Sequence, residues 1–530
     1  MPDPLVPDPT VLDPTVLDPT VPDPSTPDPT LAEVFAGIPL EETRGDMARP
    51  ISGIAYDSRD VEPGYLFAAL DGLHTDGHRW VGDAVRRGAV AVLHSRPLPD
   101  VPSSVTCIRV ASPRTVLSPA AAAFYRHPSR EIRVIGVTGT DGKSSTVWFI
   151  SQLIGMLGGR AGFLSTVSFQ TGDEVVKNPF RQSTPEATEI HGMLREMVSR
   201  GRQYAVVEAT SHGLSRRTNR LGDVQFDVAV LTNVTHEHLE FHGSFEQYRS
   251  DKANLFRAVT PESDKAVRCP RFVVVNSDDP SAEYFAEASR VPVRRYGQRG
   301  DLSARSVHSD LSGSSFRLAW ASEEAEARIR IPGPFWVDNA LAAVLAVSGI
   351  LQTPIRELAP LLGRLTGVPG RMDYVSRGQP FAVIVDYAHT PGAFRRLFPW
   401  VRAHTPGKLT AVFGSAGERD REKRQMQGQA ASELCDTVVL TDEDPRGEDR
   451  VAILEQVAAG CTGRTRGKDL FLVPDRREAI ALALSRARPG DSVLLLGKGH
   501  EASIIGPAGP AAWDERAEAE AGLARLGYGG

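Results

Sequence analysis

A glycine-rich turn between an apolar run and a helical pattern is the stretch of this chain best suited to bind phosphate. Residues 132–137 form the apolar run, which predicts a buried strand, and apolar residues after Lys143 recur at helical spacing. Glycines in the turn let backbone N–H groups approach an anion, and the helix N-terminus adds the positive end of its dipole. Lys143 can reach the outer phosphates of a nucleotide, and the hydroxyl of Ser144 or Ser145 can bind Mg²⁺. A tight turn with a chance lysine is the alternative, but residue types and context together favour a phosphate site.

Three further apolar runs, at residues 205–207, 228–231 and 272–275, predict buried parallel strands that end in polar residues. Glu208 directly follows the first of these runs. A carboxylate at the carboxyl end of a strand, beside a phosphate loop, is well placed to hold Mg²⁺. The sequence therefore predicts that Glu208 and the glycine-rich turn meet at one edge of a sheet.

Three histidines, His236, His238 and His242, follow the second of these runs. Their closeness suggests zinc, but no cysteine or further spaced histidine completes a tetrahedral site.

The chain's four cysteines lie far apart and form no C-x-x-C pair, which indicates a reducing cytoplasm and argues against a disulfide framework.

Composition excludes several functional classes. A chain of 530 residues with 41% apolar and 24% charged residues is typical of a soluble globular protein of about three domains. The net charge of −6 gives no reason to expect nucleic acid or an anionic membrane as partner. We find no run of 18 apolar residues and no secretory signal. Residues 1–30 are six proline- and aspartate-rich pentads, which predict a disordered tail, with a docking segment as the alternative.

The turn itself, T-G-T-D-G-K-S-S, resembles the nucleotide loop of the Mur ligases, ATP-dependent enzymes that add amino acids to the peptidoglycan precursor. The segments 232–243 and 248–256 resemble the Mg²⁺ region of that family. By this resemblance His238 is a metal ligand, and Lys252 becomes a carbamate by reacting with CO₂; a surface lysine at a helix start is the alternative. The ATP-binding residues that the resemblance implies are Thr138, Gly139, Thr140, Asp141, Gly142, Lys143, Ser144, Ser145, Asn233, Arg371, Asp386 and His389. His389 could instead be a core or hinge residue.

Other strings resemble the parts of the Mur ligases that hold the acyl substrate. Residues 54–78 are similar to the family's first domain, which implies that Ser58 and the backbone of residues 73–75 contact the uridine diphosphate. S-T-P-E and E-A-T-S-H-G-L resemble two substrate loops. Thr218 stands at the family's basic position, so a neighbouring arginine would meet the pyrophosphate. The remaining substrate residues implied are Ser183, Thr184, Thr210 and Arg216.

Three strings near the C-terminus resemble the pocket for the incoming amino acid in the branch of the family that adds the third residue. The residues implied are Arg419, Asp444, Arg446, Gly497 and Glu501. Two arginines favour diaminopimelate, which has two carboxylates, because each would form a charge-assisted pair. Asp444 stands where the family has asparagine, and aspartate cannot donate to a carboxylate unless it is protonated, which leaves lysine as an alternative.

The resemblance implies an α/β fold with the three-domain Mur ligase architecture, a central P-loop domain with a parallel sheet and a Rossmann-like C-terminal domain. The expected boundaries are a tail at 1–30, a UDP-substrate domain at 31–130, an ATP domain at 131–362 and an amino-acid domain at 363–530. We expect a cytoplasmic, monomeric, ADP-forming amide ligase that uses ATP and Mg²⁺, acts on a UDP-muramoyl peptide and binds neither nucleic acid nor membrane. Its expected catalytic residues are Lys143, Lys252, His238 and Glu208, and its expected Mg²⁺ ligands are Ser144, Glu208, His238 and carbamylated Lys252. A related ligase for another carboxylate and amine, and a non-catalytic nucleotide-binding protein, are the alternatives.

Overall fold

The computed structural model describes residues 27–71, 76–98, 101–180, 182–235 and 239–529. The chain forms two compact units: unit 1 comprises Met1–Ser303 and Leu341–Ile355, and unit 2 comprises Ala304–Ala340 and Arg356–Gly530. Most of the predicted tail lies outside the described residues. Its last two residues contact the fold, since Thr30 caps the first helix and the Pro29 carbonyl accepts a hydrogen bond from the Ile51 N–H at 3.0 Å.

The first part of unit 1 is a five-stranded sheet in the order β1-β5-β4-β3-β2. All neighbouring strands are parallel except β1 and β5. Helix α3 packs on this sheet through buried alanine, leucine and phenylalanine side chains. The elements are α1 (Leu31–Val34), β1 (Glu42–Arg44), β2 (Gly53–Ala55), β3 (Tyr65–Ala68), α2 (Val81–Arg86), β4 (Ala91–His94), β5 (Thr106–Arg109) and α3 (Pro113–Phe124).

The second part of unit 1 is a mostly parallel sheet in the order β9-β8-β7-β10-β6-β11-β12-β13. Strand β6 lies between β10 and β11 and is parallel to both, so the carboxyl ends of these three strands meet at one edge. Helices cover both faces, which is why the predicted strands are continuous apolar runs. The elements are β6 (Arg133–Thr138), α4 (Lys143–Met156), β7 (Ala161–Leu164), β8 (Ser168–Gln170), β9 (Val176–Lys177), α5 (Ala187–Ser199), β10 (Tyr204–Glu208), α6 (Ser211–Leu214), β11 (Val228–Leu231), α7 (Leu239–His242), α8 (Phe245–Ala258), β12 (Phe272–Asn276), α9 (Ala282–Glu287) and β13 (Val293–Tyr296).

Three further strands follow, which the sequence analysis did not predict. Strand β14 begins beside β13 in unit 1 and continues in unit 2, where β15 and β16 form a hairpin. Along β15, buried and exposed residues alternate over part of its length, as in a strand with one solvated face. The elements are β14 (Leu302–Asp310), β15 (Gly313–Trp320), β16 (Glu323–Ile329), α10 (Phe335–Leu351) and α11 (Ile355–Leu358).

The rest of unit 2 is a six-stranded sheet in the order β17-β18-β22-β19-β20-β21, parallel except for β17. Apolar runs at residues 409–413, 437–440 and 492–496 predict three strands of a Rossmann-like domain, and these are observed as β19, β20 and β22. Among the described residues, no helix combines the length and apolar character needed to cross a bilayer. The elements are β17 (Asp373–Tyr374), β18 (Ala382–Asp386), α12 (Pro391–Ala403), β19 (Leu409–Phe413), α13 (Glu422–Leu434), β20 (Thr437–Leu440), α14 (Arg450–Ala458), β21 (Leu470–Leu472), α15 (Arg476–Arg486), β22 (Ser492–Leu496), β23 (Ser503–Gly506), β24 (Gly509–Ala512) and α16 (Glu515–Arg525).

Candidate active site

The glycine-rich turn joins β6 to α4, as the sequence predicts. Gly139 has φ +148°, and a Cβ there would lie 1.8 Å from Thr232 Oγ1, so only glycine fits. Gly142, at φ +80°, occupies the position before the first residue of α4, Lys143. The first backbone N–H groups of this 14-residue helix therefore face the turn, which is the arrangement that binds phosphate.

Residues at the end of β11 hold this turn in place. The Thr140 N–H donates to the Asn233 carbonyl at 2.7 Å, and the Asp141 N–H donates to Asn233 Oδ1 at 3.0 Å. Thr232 Oγ1 donates to the Asp141 carbonyl at 2.6 Å. Lys143 Nζ folds back to donate to the Thr140 carbonyl at 2.8 Å. Asn233 thus positions the turn through its backbone and its side chain, while the side chain of Asp141 points to an exposed surface.

Glu208 meets the turn at the edge of the sheet, as predicted. Its Oε2 accepts hydrogen bonds from Ser144 Oγ at 2.8 Å and from the Thr166 N–H at 2.9 Å, and its Oε1 accepts from Thr166 Oγ1 at 2.8 Å. The carboxylate and the Ser144 hydroxyl are oxygen donors of the kind that Mg²⁺ prefers. Ser145, the next residue on α4, is buried, and so is Thr138, the last residue of β6.

Lys252 is buried inside α8, so the alternative of a surface lysine is wrong. Lys252 is only 2% exposed, and its Nζ donates to the Gly139 carbonyl at 2.6 Å. The ammonium also lies 4.4 Å from the centroid of the Tyr248 ring, whose hydroxyl is 3.0 Å from Thr140 Oγ1. Helix α8 therefore places Lys252 directly against the phosphate loop.

The histidine-rich segment is described only in part, and His236 and His238 lie outside the described residues. His242 is buried, with its Nδ1 2.8 Å from Asp251 Oδ2 and its Nε2 3.0 Å from Ser211 Oγ. Because both ring nitrogens already have partners, His242 does not support the zinc interpretation.

Two hydroxyls of the predicted acyl-substrate loops meet next to Glu208. Thr184 Oγ1 and Thr210 Oγ1 are 2.8 Å apart, and Thr184 Oγ1 also donates to the Glu208 carbonyl at 3.3 Å. Thr210 caps α6 by accepting from the Gly213 N–H. Ser183 is half-buried beside this pair.

Arg216 is exposed, and its predicted contact with the pyrophosphate stays a prediction, while a different arginine contacts these loops. Arg220 donates to the Thr184 carbonyl at 2.9 Å and to Glu186 Oε1 at 2.8 Å. Glu186 also pairs with Arg114 at 3.1 Å. No family string contains Arg220, so sequence reasoning missed it.

The predicted uridine contact falls at the first sheet. Ser58 is buried in a short 3₁₀ turn directly after β2, and Asp57 caps that turn by accepting from the Arg59 N–H. The predicted backbone contact at residues 73–75 lies outside the described residues. Nearby, Asp71, Asp76 and His78 lie close together, with His78 Nδ1 2.7 Å from Asp76 Oδ1.

In unit 2, Arg371, Asp386 and His389 gather around Tyr387 at the end of β18. The Arg371 guanidinium lies 4.5 Å from the centroid of the Tyr387 ring. Burial raises the pKa of Asp386, and its carboxylate accepts from the Met372 and Ala388 N–H groups at 2.7 Å each. His389 Nδ1 is 2.9 Å from the Tyr387 carbonyl, and burial lowers the pKa of His389.

Four of the predicted amino-acid residues lie at the carboxyl ends of β20 and β22. Asp444 Oδ1 accepts from Lys498 Nζ at 2.8 Å, and Glu501 Oε2 lies 2.6 Å from the same ammonium. Gly497 has φ +97°, and Arg446 has φ +53°. Arg419, on the loop after β19, is exposed. Lys498 is fully buried, and sequence reasoning missed it, although it lies in G-K-G-H-E (residues 497–501), one of the three C-terminal strings that resemble the amino-acid pocket.

Comparison with known families matches nearly the whole folded chain. Residues 50–125 match the model described as Mur ligase family, catalytic domain, residues 137–347 match the Mur ligase middle domain, and residues 370–499 match the Mur ligase glutamate ligase domain. The chain belongs to the Mur ligase family. Members of this family are ATP-dependent enzymes that form amide bonds, so the predicted family, fold and enzyme class are confirmed.

Similar Mur ligases cover the chain almost completely. A UDP-N-acetylmuramyl-tripeptide synthetase of Roseiflexus sp. (strain RS-1) is 49% identical over 91% of this chain and 96% of its own length. A UDP-N-acetylmuramoyl-L-alanyl-D-glutamate–2,6-diaminopimelate ligase of Syntrophomonas wolfei is 38% identical over 89% of this chain and 94% of its own length. A solved structure of such a diaminopimelate ligase has a TM-score of 0.63 at 27% identity, covering 94% of this chain and all of that one.

Proposed function

We propose that this chain joins an amino acid to UDP-N-acetylmuramoyl-L-alanyl-D-glutamate while converting ATP to ADP and phosphate, a step of peptidoglycan precursor synthesis. The relative named as a tripeptide synthetase, at 49% identity, supports this acceptor. One observation carries the chemistry. The carboxylate of Glu208 contacts Ser144 of the phosphate loop, and its backbone carbonyl contacts Thr184 of the acyl-substrate loop. A phosphate and a substrate carboxylate would therefore meet at Glu208.

The reaction proceeds through an acyl phosphate. A carboxylate oxygen of the acceptor attacks the γ-phosphorus of ATP, the bond to the leaving ADP oxygen breaks, and Lys143 with the N-terminus of α4 holds the charge on the phosphates. The uncharged amine of the incoming amino acid then attacks the carbonyl carbon, phosphate leaves, and the nitrogen loses a proton. The product is an amide.

The donors at the turn fit Mg²⁺. Ser144, Glu208, carbamylated Lys252 and His238 are the residues that would hold it, and it would supply positive charge opposite the phosphate oxygens. Carbamylation joins the uncharged Lys252 nitrogen to the carbon of CO₂ and releases one proton, which turns a cation into an anion. The burial of Lys252 against Gly139 supports this role, because an anion there would lie beside the phosphate loop.

The contacts with ATP that the family resemblance implies for Arg371, Asp386 and His389 stay predictions. Tyr387 supports Arg371 through the contact of its ring with the guanidinium.

The incoming amino acid would carry a second amino group, which Gly497 and Glu501 receive. Diaminopimelate and lysine both meet that requirement. The cytoplasmic location and the monomeric state stay predictions.

A substrate panel with purified full-length protein tests the proposal. ADP release is measured with ATP, Mg²⁺, UDP-N-acetylmuramoyl-L-alanyl-D-glutamate and each candidate amino acid, with omission of each substrate as control. We expect release only when all three substrates are present. Turnover with a different carboxylate but not with this acceptor would support the alternative ligase. Absence of turnover with every carboxylate and amine would support a non-catalytic nucleotide-binding protein.

A further inference from the structure

A cluster of buried charges lies at the carboxyl ends of β20 and β22, within the pocket that the proposed function assigns to the incoming amino acid. Three carboxylates, those of Glu443, Asp444 and Glu501, surround one ammonium, that of Lys498. Lys498 is fully buried, and its Nζ lies 2.8 Å from Asp444 Oδ1 and 2.6 Å from Glu501 Oε2. The Ile505 N–H also donates to Asp444 Oδ1, at 2.9 Å.

Glu443 is the member of this cluster whose hydrogen bonding is incomplete. The residue is 7% exposed, and within the described part of the chain its Oε2 is buried without a hydrogen-bond partner. A Cβ at Gly497 would lie 3.4 Å from Glu443 Oε2, so the glycine leaves the space beside that oxygen open. Burial raises the pKa of Glu443, and the positive charges of Lys423, Lys498 and Arg476 partly offset this rise. A buried carboxylate oxygen next to open space needs a donor, and a cation is the strongest one.

The charges of the cluster do not balance. Lys498 pairs with Asp444 and Glu501, whereas no cation in the described part of the chain forms an ion pair with Glu443. Lys423, the cation that lowers the pKa of Glu443 most, is only half-buried. Arg476, a buried cation that also lowers this pKa, already forms an ion pair with Glu515 at 2.6 Å and donates to two backbone carbonyls. An additional ammonium would complete the cluster, whereas an additional carboxylate would add a fourth negative charge.

We infer that this pocket selects a diamino monocarboxylic acid, such as lysine or its shorter homologue ornithine, and that Glu443 is a specificity-determining residue that receives the distal ammonium together with Glu501. This inference rests on the proposed function and refines its substrate. Diaminopimelate carries a second carboxylate on the carbon that bears its distal ammonium, so binding it would place that carboxylate among Glu443, Asp444 and Glu501. Arg446 is the group that opposes this conclusion, because its buried Nε has no hydrogen-bond partner among the described residues. In our account Arg446 and Arg419 bind the single α-carboxylate.

The test compares kcat/KM of the full-length enzyme for lysine, ornithine, diaminopimelate and norleucine, which lacks the distal amine, at saturating ATP and muramoyl dipeptide. We expect lysine or ornithine to exceed diaminopimelate by about tenfold or more, since a charge-assisted contact of this kind is worth that factor. Norleucine should not be used. Diaminopimelate used as well as, or better than, both diamino monocarboxylic acids would overturn the inference and leave the proposed function standing. Absence of turnover with all four would overturn both.

Variants of Glu443 test whether this residue causes the preference for a diamino monocarboxylic acid. In Glu443→Gln the KM for the preferred diamino acid should rise about tenfold or more, while the KM for ATP stays unchanged, which also shows that the variant folds. Glu443→Asp, which keeps the charge, should retain most of the preference. The matched control Glu433→Gln, on the exposed face of α13, should behave as wild type. An unchanged KM for the diamino acid in Glu443→Gln would contradict the role of this residue.

Discussion

The phosphate loop of unit 1 and the amino-acid pocket of unit 2 use buried polar groups in opposite ways. In the loop, Thr140, Asp141 and Lys143 are fixed by hydrogen bonds to backbone or amide groups that the fold itself supplies. In the proposed pocket, Asp444 and Glu501 share Lys498, and the Glu443 Oε2 oxygen has no hydrogen-bond partner among the described residues. These three loop residues thus have partners within the folded chain, although the buried hydroxyl of Thr138 beside them has none, whereas the proposed amino-acid pocket keeps a buried carboxylate oxygen that a substrate cation could neutralise.

The largest effect should come from the loop, and it should not depend on the amino acid supplied. Lys143→Met removes the cation that the proposal assigns to the phosphates, so kcat should fall by about 10²–10³-fold with every amino acid that the wild type uses. ADP release measures this change, with Lys177→Met on an exposed strand as control. A loss restricted to one amino acid would contradict the separation of the two sites.

Lys252 tests whether the loop needs an anion at a position where the sequence has a cation. Lys252→Ala should lower the rate by about 10–100-fold, as for the loss of a metal-supporting ligand, and short-chain carboxylic acids should partly restore it. Lys252→Arg keeps a cation that CO₂ does not carbamylate, so it should be as inactive as the alanine variant. Wild-type rates in either variant would exclude the carbamate.

The smallest predicted effect concerns stability rather than catalysis, and it comes from His191, a buried polar group that is neutral. Its ring is fully buried on α5 without a hydrogen-bond partner in the described part of the chain, and burial lowers its pKa to about 3. His191 of the unfolded chain binds a proton as the pH falls through about 6.5, whereas His191 of the folded chain does not. The free energy of unfolding therefore decreases as the pH falls below 6.5.

His191→Leu should therefore lose less stability than wild type on acidification. Between pH 7 and pH 5.5 the two proteins should differ by about 1.3 kcal/mol in the stability that they lose, because pH 5.5 lies one pH unit below the unfolded pKa. Denaturant unfolding at both pH values measures it. Equal pH dependence in the two proteins would show that His191 is charged when folded.

The sequence predicted the elements that combine a continuous apolar run with a polar string. Strands β6, β10 and β11 were predicted because they are buried on both faces, and the glycines and lysine in the turn that follows β6 are typical of a phosphate loop. Strands β14, β15 and β16 were missed because their sequences mix charged and apolar residues. Side-chain environments were harder to predict, because they depend on contacts between distant segments. The burial of Lys252, the contact of Arg220 with Thr184 and the sharing of Lys498 between Asp444 and Glu501 all arise in this way.

The central claim is that the acceptor carboxylate takes the γ-phosphoryl group before the amine attacks, and an oxygen-isotope experiment tests it most directly. The acceptor is prepared with ¹⁸O in both oxygens of the carboxylate that forms the amide, and the released phosphate is analysed by mass spectrometry. Attack of the carboxylate on phosphorus leaves one of its oxygens on that phosphate, so we predict one ¹⁸O atom per phosphate, with the other retained in the amide. Phosphate without ¹⁸O would contradict the acyl phosphate.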